Sequence, residues 1–186
     1  MREAATIAAL GALTYYAWDY FLYRQKSPAV NAILAPAMPG PSAPGGAALK
    51  GAPRGIRYNN PGNIKWSAAN NWLGQIGKNG AFSTFDTPQN GLRAATIILR
   101  KYINSYGLNT LAKIAPRWSP DLIGTSGQYA ANASKFGGLA VNAVINPNNA
   151  AQMVMLLKGI VGAENGAAWV NHYGAAVYAA AVESAG

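Results

Sequence analysis

Trp72-Leu73-Gly74-Gln75-Ile76-Gly77-Lys78-Asn79-Gly80-Ala81-Phe82-Ser83-Thr84-Phe85-Asp86-Thr87-Pro88 holds the change of period on which the fold turns. Two short strand-like runs, Trp72–Ile76 and Ala81–Phe85, are joined through Lys78-Asn79-Gly80, and Asn-Gly between apolar runs is a strong hairpin signal. The period then becomes helical. Thr87 is placed to cap a helix with Pro88 at its first position. Leu92, Ala95, Leu99, Tyr102 and Ile103 form its apolar stripe, and Gly107 stops it. Shorter helices are expected around Thr110–Ile114 and Ser126–Phe136. A longer one starts at Asn146-Pro147 with Met153, Leu156, Leu157, Ile160 and Val161 on one side, and a last helix covers Ala167–Val182. The expected domain is mainly α (α+β), with a small β-hairpin.

Upstream of this domain, assigned to residues 54–186, lie two segments of different character. Within residues 1–26, Ala4 to Tyr23 is apolar and broken only by Asp19. Twenty helical residues span about 30 Å, the thickness of a bilayer core. Asp19 and the aromatics Tyr15, Tyr16, Trp18, Tyr20 and Tyr23 gather at one end, as interfacial residues do, and Arg24 and Lys26 close the segment. A transmembrane helix is the reading adopted. The rival, a cleaved signal peptide, has a weak basic start (Arg2 balanced by Glu3) and no small-residue cleavage region. Residues 27–53 carry Pro28, Pro36, Pro39, Pro41, Pro44 and Pro53 among glycines, which suits a semi-extended linker.

Charge and composition narrow the chemistry. The chain has 15 Lys and Arg against 6 Asp and Glu, for a net charge of +9. That balance favours acidic polymers or anionic surfaces, so nucleic acid, anionic lipid and bacterial envelope all fit. No cysteine is present, which removes disulfides, thiol nucleophiles and cysteine metal sites. With the single histidine His172, no metal site is expected, and no cofactor either.

The carboxylates of the domain reduce to one candidate. Glu183 sits three residues from the end, Asp86 precedes a helix start, and Asp121 follows Ser119-Pro120 in a capping context. Glu164 instead falls seven, four and three positions after Leu157, Ile160 and Val161, on the apolar face of its helix, and Asn165-Gly166 then stops that helix. A carboxyl on an apolar face at an open helix end is partly desolvated, which raises its pKa and suits it to protonate a glycosidic oxygen. The other open reading is a helix-end glutamate bonded to nearby backbone.

Longer motifs add a resemblance. Gly55-Ile56-Arg57-Tyr58-Asn59-Asn60-Pro61-Gly62-Asn63-Ile64-Lys65-Trp66 is followed by Trp72-Leu73-Gly74-Gln75, Gly91-Leu92-Arg93-Ala94, Trp118-Ser119-Pro120, Thr125 to Tyr129, and Glu164-Asn165-Gly166. This series, spanning Gly55 to Tyr173, resembles a phage virion-protein family with lytic-transglycosylase or lysozyme-like assignments. Asn59-Asn60-Pro61-Gly62-Asn63-Ile64-Lys65 is also similar to an N-N-L-F-G-I-K element of peptidoglycan glucosaminidases, where it follows the catalytic glutamate helix. Here it comes first, so the resemblance implies a circularly permuted lysozyme-like fold. One departure is the lack of an acidic E-N-D-T-like run after Trp118-Ser119-Pro120.

The resemblance implies cleavage of peptidoglycan glycan strands with Glu164 as catalytic acid. Hydrolases ordinarily use two carboxylates. With one candidate, a lytic transglycosylase is the expected class, unless Asp86 or Asp121 folds beside Glu164. Asn59, Asn60 and Asn63 are candidates to bind the glycan, with turn formation as the alternative. Trp66, Trp118 and Tyr129 are candidates to stack on or contact sugars, with core packing as the alternative. Lys65, Arg93, Arg100 and Lys101 either attract the envelope or solvate helix surfaces. The expected partners are peptidoglycan, a membrane through the N-terminal helix, and other virion proteins, with nucleic acid still allowed. The expected location is the virion or a viral or host inner membrane, with the domain facing the periplasm. Arg24 and Lys26 favour the opposite topology. A signal-anchored lysis enzyme and an enzyme of virion penetration both fit. The competing class is a non-enzymatic virion structural or DNA-ejection protein that binds wall or DNA.

Overall fold

A computed structural model of the chain describes Leu49, residues 51–121 and residues 124–186. The proposed membrane helix and nearly all of the linker lie outside the described residues. Among the described residues, no helix is long and apolar enough to cross a membrane.

The domain is mainly helical with one two-stranded antiparallel sheet. A single turn, α1 (Arg54–Arg57), precedes the hairpin of β1 (Gln75–Asn79) and β2 (Phe82–Phe85). Then come α2 (Pro88–Tyr106), α3 (Leu111–Trp118), α4 (Ser126–Gly137), α5 (Ala150–Asn165), a 3-10 turn (Ala167–Trp169) and α6 (Ala175–Glu183). Ser67–Asn71 is a separate short turn, in which the Asn70 N–H donates to the Ser67 carbonyl.

Local signals explain most boundaries. The Thr87 hydroxyl accepts from the Asn90 N–H with Pro88 at the first helical position, and Gly107 closes α2 at φ 65°. Thr110 caps α3 in the same way, accepting from the Lys113 N–H. The hairpin turns through Gly80-Ala81, between the paired Asn79 and Phe82.

Three boundaries differ from the sequence reading. The first strand starts at Gln75, because Trp72–Gln75 is a turn closed by the Gln75 N–H on the Trp72 carbonyl. The long helix starts at Ala150, capped by Asn149, since Asn146 turns the chain by accepting from the Asn148 N–H. The expected last helix is interrupted. Its first part is the 3-10 turn, and extended Gly174 (φ −60°, ψ 156°) separates that turn from α6.

Helix α5 is the centre of the domain, touching α1, α2, α4, the 3-10 turn and α6. Met153, Leu156, Leu157, Ile160 and Val161 on it are buried, together with Leu92 and Leu99 of α2, Ile114 of α3 and Tyr178 of α6. The closest approach is to α4. A Cβ on Gly159 would lie 2.6 Å from the Ala133 carbonyl, and one on Gly137 would strike the Met155 carbonyl. Only glycine permits such a backbone approach. Ala133 facing Gly159 and Gly137 facing Met155 set the two helices antiparallel, so the start of α4 lies beside the end of α5.

Two basic side chains of α2 serve the fold. Arg93 is buried and donates to the Ser184 carbonyl (2.8 Å), while Arg100 donates to the Pro147 and Val182 carbonyls. They tie down the C-terminal segment.

Candidate active site

The antiparallel pairing of α4 and α5 brings Tyr129 to Glu164. The Tyr129 hydroxyl donates to Glu164 Oε1 at 2.8 Å. Asn63, from the loop after α1, donates through Nδ2 to Oε2 at 2.9 Å. Trp118, the last residue of α3, adds hydrogen bonding to the same carboxylate. Its ring also lies against Gly62, where an added Cβ would be 3.1 Å from the indole. Four residues singled out in the sequence, Asn63, Trp118, Tyr129 and Glu164, therefore form one cluster.

The loop that delivers Asn63 is shaped by its neighbouring asparagines. Asn60 is 2% exposed and donates to the Ile64 and Ser83 carbonyls, while its Oδ1 accepts from the Ile64 N–H. Every hydrogen-bonding group of that amide is engaged by backbone except one lone pair. Asn59, at φ 53°, donates to the Phe85 and Asp86 carbonyls. Turn formation thus describes Asn59 and Asn60, and their amides anchor the loop to β2. Asn63 adopts a left-handed φ of 49°, tolerated by Asn, and that conformation turns its side chain to Glu164. Trp66 sits on the hairpin, half-buried, its ring covered by the Lys78 ammonium at 4.4 Å.

Glu164 is half-buried, and burial raises its pKa above the ordinary carboxyl value. Hydrogen bonds from Asn63, Tyr129 and Trp118, and the positive charge of Arg54, oppose that rise without cancelling it. Tyr129 is held well above the ordinary phenol value by burial first, then by the adjacent Glu164. It therefore stays a neutral hydroxyl donor.

The other acids among the described residues have partners or positions elsewhere. Asp86 accepts from Asn90 Nδ2, Asp121 pairs with Lys65 at 2.6 Å, and Glu183 is exposed at the end of α6. Lys65–Asp121 is an exposed pair, worth about 0–1 kcal/mol. Among the described residues no cluster of three metal-ligating side chains occurs.

Two residues of the site were not anticipated. Asn165, read as part of a helix stop, is buried and donates to the Pro61 and Val161 carbonyls, which fastens the loop to α5. Arg54 stands just before the loop motif, and its charge acts on Glu164. No local pattern distinguished either residue, because Asn165 bonds a loop residue 104 positions away and Arg54 acts across the contact of α1 with α5.

No family model matches the chain. Over 99 residues it is 34% identical to Protein P5 of Pseudoalteromonas phage PM2. The match covers 51% of this chain and 62% of that protein, so the chain spans less than two thirds of the relative's length. The likeness points to a bacteriophage setting.

Proposed function

We propose that this protein cleaves the glycan strands of peptidoglycan as a lytic transglycosylase, with Glu164 as the acid and base. The observation that carries this reading is a half-buried carboxyl, its pKa raised by burial, with both oxygens fixed by Tyr129 and Asn63. Protonated Glu164 gives its proton to the glycosidic oxygen, and the bond from that oxygen to the muramoyl C1 breaks. The carboxylate left behind is stabilised by the Tyr129 hydroxyl and the Asn63 amide. It then takes the proton of the sugar's own 6-hydroxyl as that oxygen bonds to C1, closing a 1,6-anhydro ring. Glu164 ends protonated, and one carboxyl serves both steps. The placement of Asp86 and Asp121 supports this over a two-carboxylate hydrolase.

In this reading the domain has a circularly permuted lysozyme-like fold and is tethered by a helix within residues 1–26. It acts in the periplasm, from a virion or a membrane, while a phage penetrates or lyses its host. The test is the full-length chain beside Glu164→Gln, each incubated with purified sacculi, with released muropeptides weighed by mass spectrometry. Anhydro ends from the parent and none from the variant are expected. Reducing ends would replace transglycosylation by hydrolysis.

A second reading is a non-enzymatic virion protein that binds wall or DNA. The net charge of +9 and the likeness to a phage protein favour it. A folded parent that releases nothing from sacculi would select it.

A further inference from the structure

Arg54 opens α1 with its guanidinium carbon 3.3 Å from the centre of the Phe82 ring. The stacking fixes a cation on an aromatic face. The next residue, Gly55, lies so close to Asn165 and Asn63 that an added Cβ would be 2.6 Å from one amide oxygen and 3.0 Å from the other. Arg54 thus stands beside a residue packed against Asn63 and Asn165, on a turn that contacts α5, the helix that carries Glu164.

Among the described residues no ion pair engages Arg54, and its Nε is buried without an acceptor. A guanidinium presents five N–H donors in a planar fork that matches a carboxylate, and such pairs are charge-assisted.

We propose that Arg54 is a specificity-determining residue of this site, binding a carboxylate carried by the glycan strand. The proposal rests on the glycan-cleavage reading above. Peptidoglycan offers that chemistry from two sources. One is the lactyl group of a muramoyl residue whose peptide has been removed, and the other is an acidic residue of an attached stem peptide. Neutralising Arg54 in this way also removes its pull on Glu164, so a charged substrate helps the acid keep its proton. A neutral glycan leaves that pull in place.

The test uses the full-length chain carrying Glu164→Gln, so that ligand is not consumed, with and without Arg54→Gln or Arg54→Lys. Three soluble probes are titrated calorimetrically. They are a muramoyl-containing tetrasaccharide with stem peptides, the same tetrasaccharide with the stems removed, and the neutral N-acetylglucosamine tetramer. Arg54→Gln should weaken a charged probe by about tenfold or more, leave the neutral tetramer unchanged, and be partly rescued by Arg54→Lys. A loss confined to the stem-bearing probe assigns the peptide carboxylate, and a loss on the stripped probe assigns the lactyl group. Equal weakening on all three probes, or none, overturns the proposal while leaving glycan binding standing. Failure of the Glu164→Gln chain with native Arg54 to bind any of the three overturns both readings. Should Arg54→Gln fail to fold, as judged by circular dichroism, Arg54→Lys alone decides, through a selective loss on charged probes.

Discussion

The Tyr129 hydroxyl and the Glu164 carboxylate, 35 positions apart, share a 2.8 Å hydrogen bond that joins the start of α4 to the end of α5. Their separation is fixed further along the same helix pair, where Ala133 meets Gly159 backbone to backbone. Helix packing and the geometry of the acid are thus one arrangement.

Removing the hydroxyl should shift the acid in a defined direction. The bond from Tyr129 lowers the Glu164 pKa, so Tyr129→Phe raises it further. The basic limb of the pH–rate profile, where the acid loses its proton, is expected to move to higher pH. The rate itself should fall about tenfold or more, since bonds to charged groups contribute about 1.5–3 kcal/mol. A limb that stays in place, or moves down, would contradict the assignment of Glu164 as the acid.

Glu164 should also leave a signature in stability. Its folded-state pKa is raised, so the folded chain holds that proton more tightly than the unfolded chain. Stability on this account is complete below the unfolded carboxyl value and declines as pH rises through the raised one. Glu164→Gln abolishes that titration. The variant should melt a few degrees above the parent at about pH 8 and gain nothing at about pH 4. Melting curves at the two pH values decide, and a gain of equal size at both would sink the idea.

Gly55 admits no side chain. A methyl group there would lie 2.6 Å from Asn165 Oδ1 and 2.8 Å from the Asn60 carbonyl. Gly55→Ala is expected to cost about 1–3 kcal/mol and to reduce glycan release by displacing Asn63 from Glu164. Urea denaturation paired with muropeptide release measures both, and parental stability would show that the loop yields freely.

Two neighbouring asparagines should behave oppositely. Asn60→Ala strips partners from the Ile64 N–H and from the Ile64 and Ser83 carbonyls, at about 2–4 kcal/mol of stability. Asn63→Gly keeps the left-handed backbone comfortable and should alter stability by about 1 kcal/mol or less. Its effect should appear instead as slower glycan release. Equal loss of stability in both variants would mean that Asn63 is a structural residue as well.

What the sequence made legible was mostly local. Thr87, Gly107 and Thr110 announce helix ends because the caps are satisfied within three or four residues. Glu164 was readable because the spacing from Leu157, Ile160 and Val161 fixes a helix face whatever that face meets. Asn63, Trp118 and Tyr129 came only through motif resemblance, since nothing in their surroundings states that they converge. Arg93 and Arg100 read as surface groups because their acceptors, at Ser184, Pro147 and Val182, lie 47 to 91 positions away. Arg54 and Asn165 were missed for the same reason, and the split of the last helix at Gly174 was concealed by its alanine-rich surroundings.

The meeting of Gly159 with Ala133 bears on how the molecule answers hydrostatic compression. Pressure favours states of smaller volume, and packed interiors yield first where voids remain. A contact of peptide against peptide has no side-chain slack to surrender. The distance between the phenol and the acid should therefore be among the last in the molecule to shorten, and activity under pressure should follow the unfolding of the domain.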